Sequence, residues 1–402
     1  MQINIFTLTS PIHDEQEIQK STQEWLGALE ETLGKDVLCF CGESYEKYGS
    51  GDLDVIYVRT GGTEGLFCKL YNSCEKIRWS KVLLLTSGKS NSLAASMEIL
   101  SWLNSKGSSE GVILHGEASY VAKKMLLLGK VNIAKKKLQG QKIGIIGKPS
   151  DWLIASGYNT DAIRMRLGIQ IEEITMDELL AEIRKRDYPI SARKRIKTCP
   201  SDYFIGALEI YGALKRIVDR HQLSAITLRC FDLLSTVKNT GCLALALLNE
   251  EGIPSSCEGD VPALLTMMIS QALTGETGFQ ANPSRINPDT DEIVMAHCTI
   301  PLNMITDYAY DTHFESGIGV AIKGQMQSGI ITLAKVSGDL EKHYEAEGLL
   351  EENLNESNLC RTQIRTKLPG VARYFLNNPI GNHHIIIRGG QAELFRTFMQ
   401  SI

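Results

Sequence analysis

At 402 residues the chain is too long for one ordinary domain and long enough to bury two or three cores. Hydrophobic residues make up 43% and charged ones 22%, and the net charge of −5 is spread along the chain, which excludes a nucleic-acid or membrane-surface footprint. The start, MQINIFTLTSP, has neither the basic stretch nor the apolar run of a leader or a membrane span, so a cytoplasmic protein is expected. The ten cysteines form no CxxC pair and read as reduced, mostly buried thiols, Cys39 and Cys41 sharing one strand face as packing.

Up to about residue 138, strand and helix alternate. Strands are expected at Asn4–Leu8, Asp36–Phe40, Val55–Val58, Val82–Leu85 and Gly111–His115, with amphipathic helices near Glu17–Leu33 and Leu93–Ser105. That alternation predicts a parallel sheet covered on both faces. Ser87-Gly88-Lys89-Ser90 looks like a phosphate loop, but Leu83 stands where the motif needs its first glycine, and the stretch reads as a turn. His115-Gly116-Glu117 closes the last strand, as a capped turn or as a substrate contact reaching a neighbouring subunit.

A basic-ended helix, Val121–Lys137, leads into a second α/β unit, residues 139–302. Strands are expected at Lys142–Ile146, Ile169–Ile174, Ala225–Arg229 and Ile253–Cys257, helices at Met176–Arg186, Tyr203–His221 and Cys242–Leu248, and a surface connection over 187–202. Trp152 follows a strand and turn, as a sugar-stacking face or a buried structural ring. Glu258-Gly259-Asp260 then precedes a helix with Pro262 in its first turn and Gly275 beyond its end. A polar loop carrying Phe279-Gln280-Ala281-Asn282 leads to a strand, Glu292–Thr299, bearing His297.

Strand ends beside helix starts are where open α/β sheets place their sites. Asp232, Glu258 and Asp260 follow successive strands and His297 lies on another, a set of oxygens and an imidazole suited to a divalent ion. The same residues also suit plainer roles, with Asp260 as a helix cap and His297 as a core histidine. Cys257 and Cys298, one residue from Glu258 and His297, should face the core. From 303 to 402 short β runs punctuated by glycine predict an antiparallel, barrel-like domain. His313 and Glu315 form a second polar cluster at its start, and His383-His384 stand at the mouth of a late apolar strand, pointing opposite ways.

Together, Glu258-Gly259-Asp260, the Leu273-Thr274-Gly275 helix end, the Phe279–Asn282 loop, His297 and Asn382-His383-His384 resemble the L-fucose/L-arabinose isomerase family. The resemblance covers most of the chain in outline and is specific from about Asp232 onward. It implies two Rossmann-like or flavodoxin-like parallel α/β domains followed by a β-rich one, and a closed trimer or hexamer. It also implies Mn²⁺ or another divalent ion, held by Glu258, Asn282, His297 and either His383 or His384, the Asn-His pattern favouring His383, with two acids moving a proton through an enediol. Glu258 matches the first acid. Asn282 stands at the second, and an amide can ligate but cannot be a base, so Asp260 or Asp232 is expected to supply the second catalytic carboxylate. Trp152, His384 and His115 are the expected substrate contacts. The implied activity is aldose–ketose isomerisation of a free hexose or a 6-deoxy or 6-substituted sugar. The alternatives are a sugar-binding or regulatory protein that has lost turnover, and another metal-assisted sugar enzyme.

Overall fold

A computed structural model describes residues 1–107, 110–199 and 201–402. Pro200, at the end of the expected surface connection, lies outside the described residues. The chain divides into two compact units, Met1–Ile133 and Ala134–Ile402.

In the first unit five parallel strands, β1 (Ile3–Leu8), β2 (Leu38–Gly42), β3 (Leu53–Val58), β4 (Val82–Leu85) and β5 (Gly111–Leu114), stand in the order β2-β1-β3-β4-β5. This is a flavodoxin-like order. Ile3, Ile5, Val55, Leu83 and Leu85 face one core, while Phe6, Ile56, Val58, Val82 and Leu84 face another across the sheet. Burial on both faces explains why these strands read as continuous apolar runs.

The second unit opens with a four-stranded parallel sheet, ordered β7-β6-β8-β9, from β6 (Lys142–Ile146), β7 (Gln170–Ile174), β8 (Ala225–Leu228) and β9 (Ser255–Cys257). The connection read over 187–202 contains a short helix, Ile190–Arg195, because Pro189 can begin a helix but cannot continue one. After β9 comes the helix Val261–Thr274. Asp260 caps it by accepting from Ala263 N at 2.8 Å, and Gly275 ends it at φ 85°. Every residue from Val261 to Ser270 is buried, so this is an interior helix with no solvent face. It packs on β8 and β9 on one side and on the barrel on the other.

The barrel is closed and antiparallel, in the order β10-β11-β16-β15-β14-β17. Its strands are β10 (Phe279–Asn287), β11 (Glu292–His297), β14 (Gly329–Val336), β15 (His343–Asn353), β16 (Thr362–Lys367) and β17 (His384–Arg388), while β12 (Asp307–Asp311) and β13 (Ala321–Gln325) form a separate hairpin. The barrel therefore begins before residue 303. The stretch read as a polar loop is β10, whose Pro283 sits at a register shift against β11 where a missing N–H is tolerated. One core runs from Ile146 and Leu228 of the sheet to Phe279, Leu333 and Ile386 of the barrel. No helix among the described residues is long and apolar enough to cross a membrane.

Candidate metal centre

The turn after β9 aims Glu258. Glu258 and Gly259 both take left-handed backbone, at φ 66° and 71°. A non-glycine residue held there is unusual and marks a constrained position. Three contacts impose the constraint. Gly259 N donates to Leu228 O at 3.0 Å, Ser150 N donates to Glu258 O at 2.9 Å, and Cys257 N donates to Gln280 Oε1 at 2.8 Å. Neighbouring β6, β8 and β10 thus fix the end of β9, and Glu258 stands at the carboxyl edge of the sheet, where such folds hold ligands.

Two histidines come to it from the barrel. His297 ends β11 and His383 immediately precedes β17. His383 Nε2 lies 3.4 Å and His297 Nε2 4.0 Å from Glu258 Oε1, and one ligand atom from each residue falls within a 4.8 Å group. Ligands each about 2.1 Å from one ion lie at most about 4.2 Å apart, so the two separations to Glu258 meet that limit. His383 Nε2 is buried and makes no hydrogen bond among the described residues, an unpartnered ring nitrogen that an ion would take up in place of its proton. The residues therefore fit a divalent cation. His297 Nδ1 lies 2.9 Å from Thr299 Oγ1 and His383 Nδ1 lies 2.8 Å from Asp260 Oδ2, so each ring has an outer partner that orients it.

The other candidate residues divide into those at this centre and those away from it. Asn282, at the start of β10, lines the same cavity as Glu258 and His297 and accepts from Asn382 Nδ2 at 3.3 Å. Trp152 is half exposed, not a buried structural ring, and its Nε1 donates to Glu258 Oε2 at 2.6 Å while its ring meets Phe231 edge-on. Asp260 is fully buried behind His383, with one oxygen on Ala263 N and the other on His383 Nδ1, so neither oxygen faces the cavity. Asp232 is held by Arg229, whose guanidinium also binds Pro149 O and Asp151. His384 points the opposite way from His383, its Nδ1 donating to Asn382 O and its Nε2 accepting from Tyr374 Oη, so it is a saturated structural residue. His115 belongs to the first unit, where its Nδ1 donates to Thr86 O.

His313 and Glu315, the second polar cluster of the sequence, both line the cavity with Glu258, Asn282 and His297. They come from the turn between β12 and β13, which has no periodicity to place it. Cys257 and Cys298 are buried, and both border this cavity. Its volume is about 30 Å³. That is room for an ion or a water but not for a hexose, so a sugar would stand at the mouth, beside the open face of Trp152.

Burial drives the Glu258 carboxyl up, but His383, His297 and the Trp152 bond outweigh it and hold it at about 2. Burial and then His383 pull His297 down to about 4. His383 is also pushed down by burial, but the carboxylates of Asp260 and Glu258 lift it to about 9. At pH 7 Glu258 is therefore a carboxylate, His297 a neutral imidazole and His383 an imidazolium with one proton more than a ligand can keep. A raised histidine stabilises the fold below its ordinary value near 6.5 and loses that contribution as pH rises through about 9. An ion must displace the same proton. Mn²⁺ affinity is therefore expected to rise about tenfold per pH unit between pH 6.5 and 8.5, releasing about one proton per ion. Calorimetry in buffers of different ionisation enthalpy measures this, and a pH-independent affinity would exclude His383 as a ligand.

No family model matches the chain. Among curated proteins it is similar to the sulfoquinovose isomerase of Priestia aryabhattai, 22% identical over 227 residues, which is 52% of this chain and 51% of that protein. The sulfoquinovose isomerase of Alkalicoccus urumqiensis is 23% identical over 217 residues, 50% and 48% of the two chains. That of a Clostridium species is 27% identical over 150 residues, 37% and 33%. The chain is distantly similar to sulfoquinovose isomerases. This agrees with the L-fucose/L-arabinose isomerase-like resemblance drawn from the second half of the sequence. The chain spans about half the length of the curated relatives it matches.

Proposed function

We propose that this protein is a divalent-metal-dependent aldose–ketose isomerase acting on an aldohexose with a substituent at C6. The observation that carries the reading is the buried convergence of Glu258, His297 and His383, in a chain whose relatives are named for isomerising sulfoquinovose. Glu258, His297 and His383 would hold the ion, with Asn282 at its edge. A bound divalent cation supplies the charge that polarises a sugar carbonyl and gathers the neighbouring hydroxyl.

The chain's own groups handle the proton. Isomerisation takes the proton from C2 as O1 gains one to give the enediol, and then O2 loses its proton as C1 gains one to give the ketose. Glu258 is the base at C2, with Trp152 fixing its Oε2. Glu315 borders the cavity and is solvent-exposed, whereas neither Asp260, bonded to His383 and Ala263, nor Asp232, bonded to Arg229, lines it, so Glu315 is our candidate for the second proton carrier. Trp152 presents its half-exposed ring as the face on which the sugar stacks. A cytoplasmic closed oligomer of three or six chains is the assembly we propose.

The test incubates the purified protein with sulfoquinovose, glucose and fucose, with Mn²⁺ or with chelator. Ketose formation from the 6-substituted sugar that chelator abolishes is the expected result. Metal-dependent sugar binding without any ketose would instead favour the binding-protein reading, which the amide at Asn282 motivates. Turnover unaffected by exhaustive chelation would overturn the metal-dependent mechanism.

A further inference from the structure

Lys335 is buried, with 1% of its surface exposed, on β14 inside the barrel. A lysine there is costly unless its charge is compensated. Its Nζ makes no hydrogen bond among the described residues and has one ionic neighbour, Asp260 Oδ1 at 3.6 Å. Asp260 is itself fully buried, and its two oxygens are divided. Oδ1 faces Lys335 and Ala263 N, while Oδ2 accepts from His383 Nδ1 at 2.8 Å. His383 Nε2 then faces Glu258 Oε1. The four groups form a line from the barrel interior to the candidate metal centre.

We infer that Lys335 is a positioning residue for that centre, acting through Asp260 to fix the rotation of His383. The cation draws Oδ1 toward the barrel, which leaves Oδ2 alone for the imidazole. With Nδ1–H committed to Oδ2, Nε2 is directed at Glu258, the position from which it would ligate an ion. Partners of this kind are typically worth about 10–100-fold in metal affinity. A lysine serving only to neutralise a buried carboxylate would change the melting temperature and leave ion affinity untouched. The inference rests on the proposed reading of the site as a metal centre.

The test measures Mn²⁺ affinity, by the electron paramagnetic resonance signal of free Mn²⁺, for the wild type, Lys335→Met, Asp260→Asn and the double variant, alongside their melting temperatures. Lys335→Met is expected to bind Mn²⁺ about 10–100-fold more weakly. The double variant is expected to bind no more weakly than Asp260→Asn alone, since Lys335 has nothing left to act through. Wild-type affinity in Lys335→Met, or a full additive loss in the double variant, would overturn the inference while leaving the metal centre standing. A wild type that binds no Mn²⁺ would remove the metal centre and this inference together. If Lys335→Met does not fold, Lys335→Gln, which fills the space without the charge, is read by the same two criteria.

Discussion

Glu258→Gln is expected to lose turnover by about 10³-fold or more and to bind Mn²⁺ far more weakly, while keeping the fold. The two carboxylate oxygens have different duties. Oε2 accepts from Trp152 Nε1 at 2.6 Å, and Oε1 faces His383 and His297. A glutamine cannot serve both. With its carbonyl on Trp152, its NH₂ points at the ion site and cannot ligate. Flipped, the NH₂ meets the indole N–H, and two donors face each other in a buried site. Neither orientation provides a base. Ketose formation within tenfold of wild type would end the assignment of Glu258 as ligand and base.

Gly259→Ala is expected to be the most damaging single-methyl change near the centre. The residue has φ 71°, and an added Cβ would lie 2.6 Å from Lys148 O and 2.7 Å from Pro149 Cα, both backbone atoms. Left-handed backbone alone costs a non-glycine residue about 1–2 kcal/mol. The clash forces the turn away from β6 and displaces Glu258 and Asp260 with it, for a total of about 3 kcal/mol or more. Gly275→Ala is the matched control. Gly275 has φ 85° but nothing within 4 Å of the added methyl. It should lose only the backbone contribution, about 1–2 kcal/mol, and keep Mn²⁺ affinity. Equal melting temperatures and equal affinities for the two variants would show that the turn is not constrained as described.

The centre was legible in the sequence where punctuation is strong. Glu258-Gly259-Asp260 lies between an apolar run and a helix with proline in its first turn, and His297 ends an apolar strand, so both could be placed at element edges. The choice between His383 and His384 depends on register. One faces Glu258 and the other bonds Tyr374, and period-two alternation says only that they diverge. Asp260 has the residue type of a base and the position of a cap. Only its two bonds, to Ala263 N and His383 Nδ1, decide between these. Much of the barrel was hidden because β15, HYEAEGLLEEN, is mostly half-buried or exposed and rich in glutamate, which weakens the alternation that marks a strand. Lys335 left no signal at all, since a lysine in a strand is ordinarily taken for a solvent-facing residue.

The three ligand-type residues come from far apart in the chain. Glu258 follows a parallel strand, whereas His297 and His383 belong to a barrel that closes only when β17 pairs with β10 and β14. Local segments cannot assemble such a centre in advance. The turn can form with the parallel sheet and His297 follows soon after on the hairpin of β10 and β11, but His383 arrives only after a loop of more than about a hundred residues has been closed, an entropically slow event. During synthesis the emerging chain thus has no complete set of ligands until the strand after His383 has docked. A half-folded chain cannot capture an ion through this set, and acquisition of the metal would report that the barrel has closed.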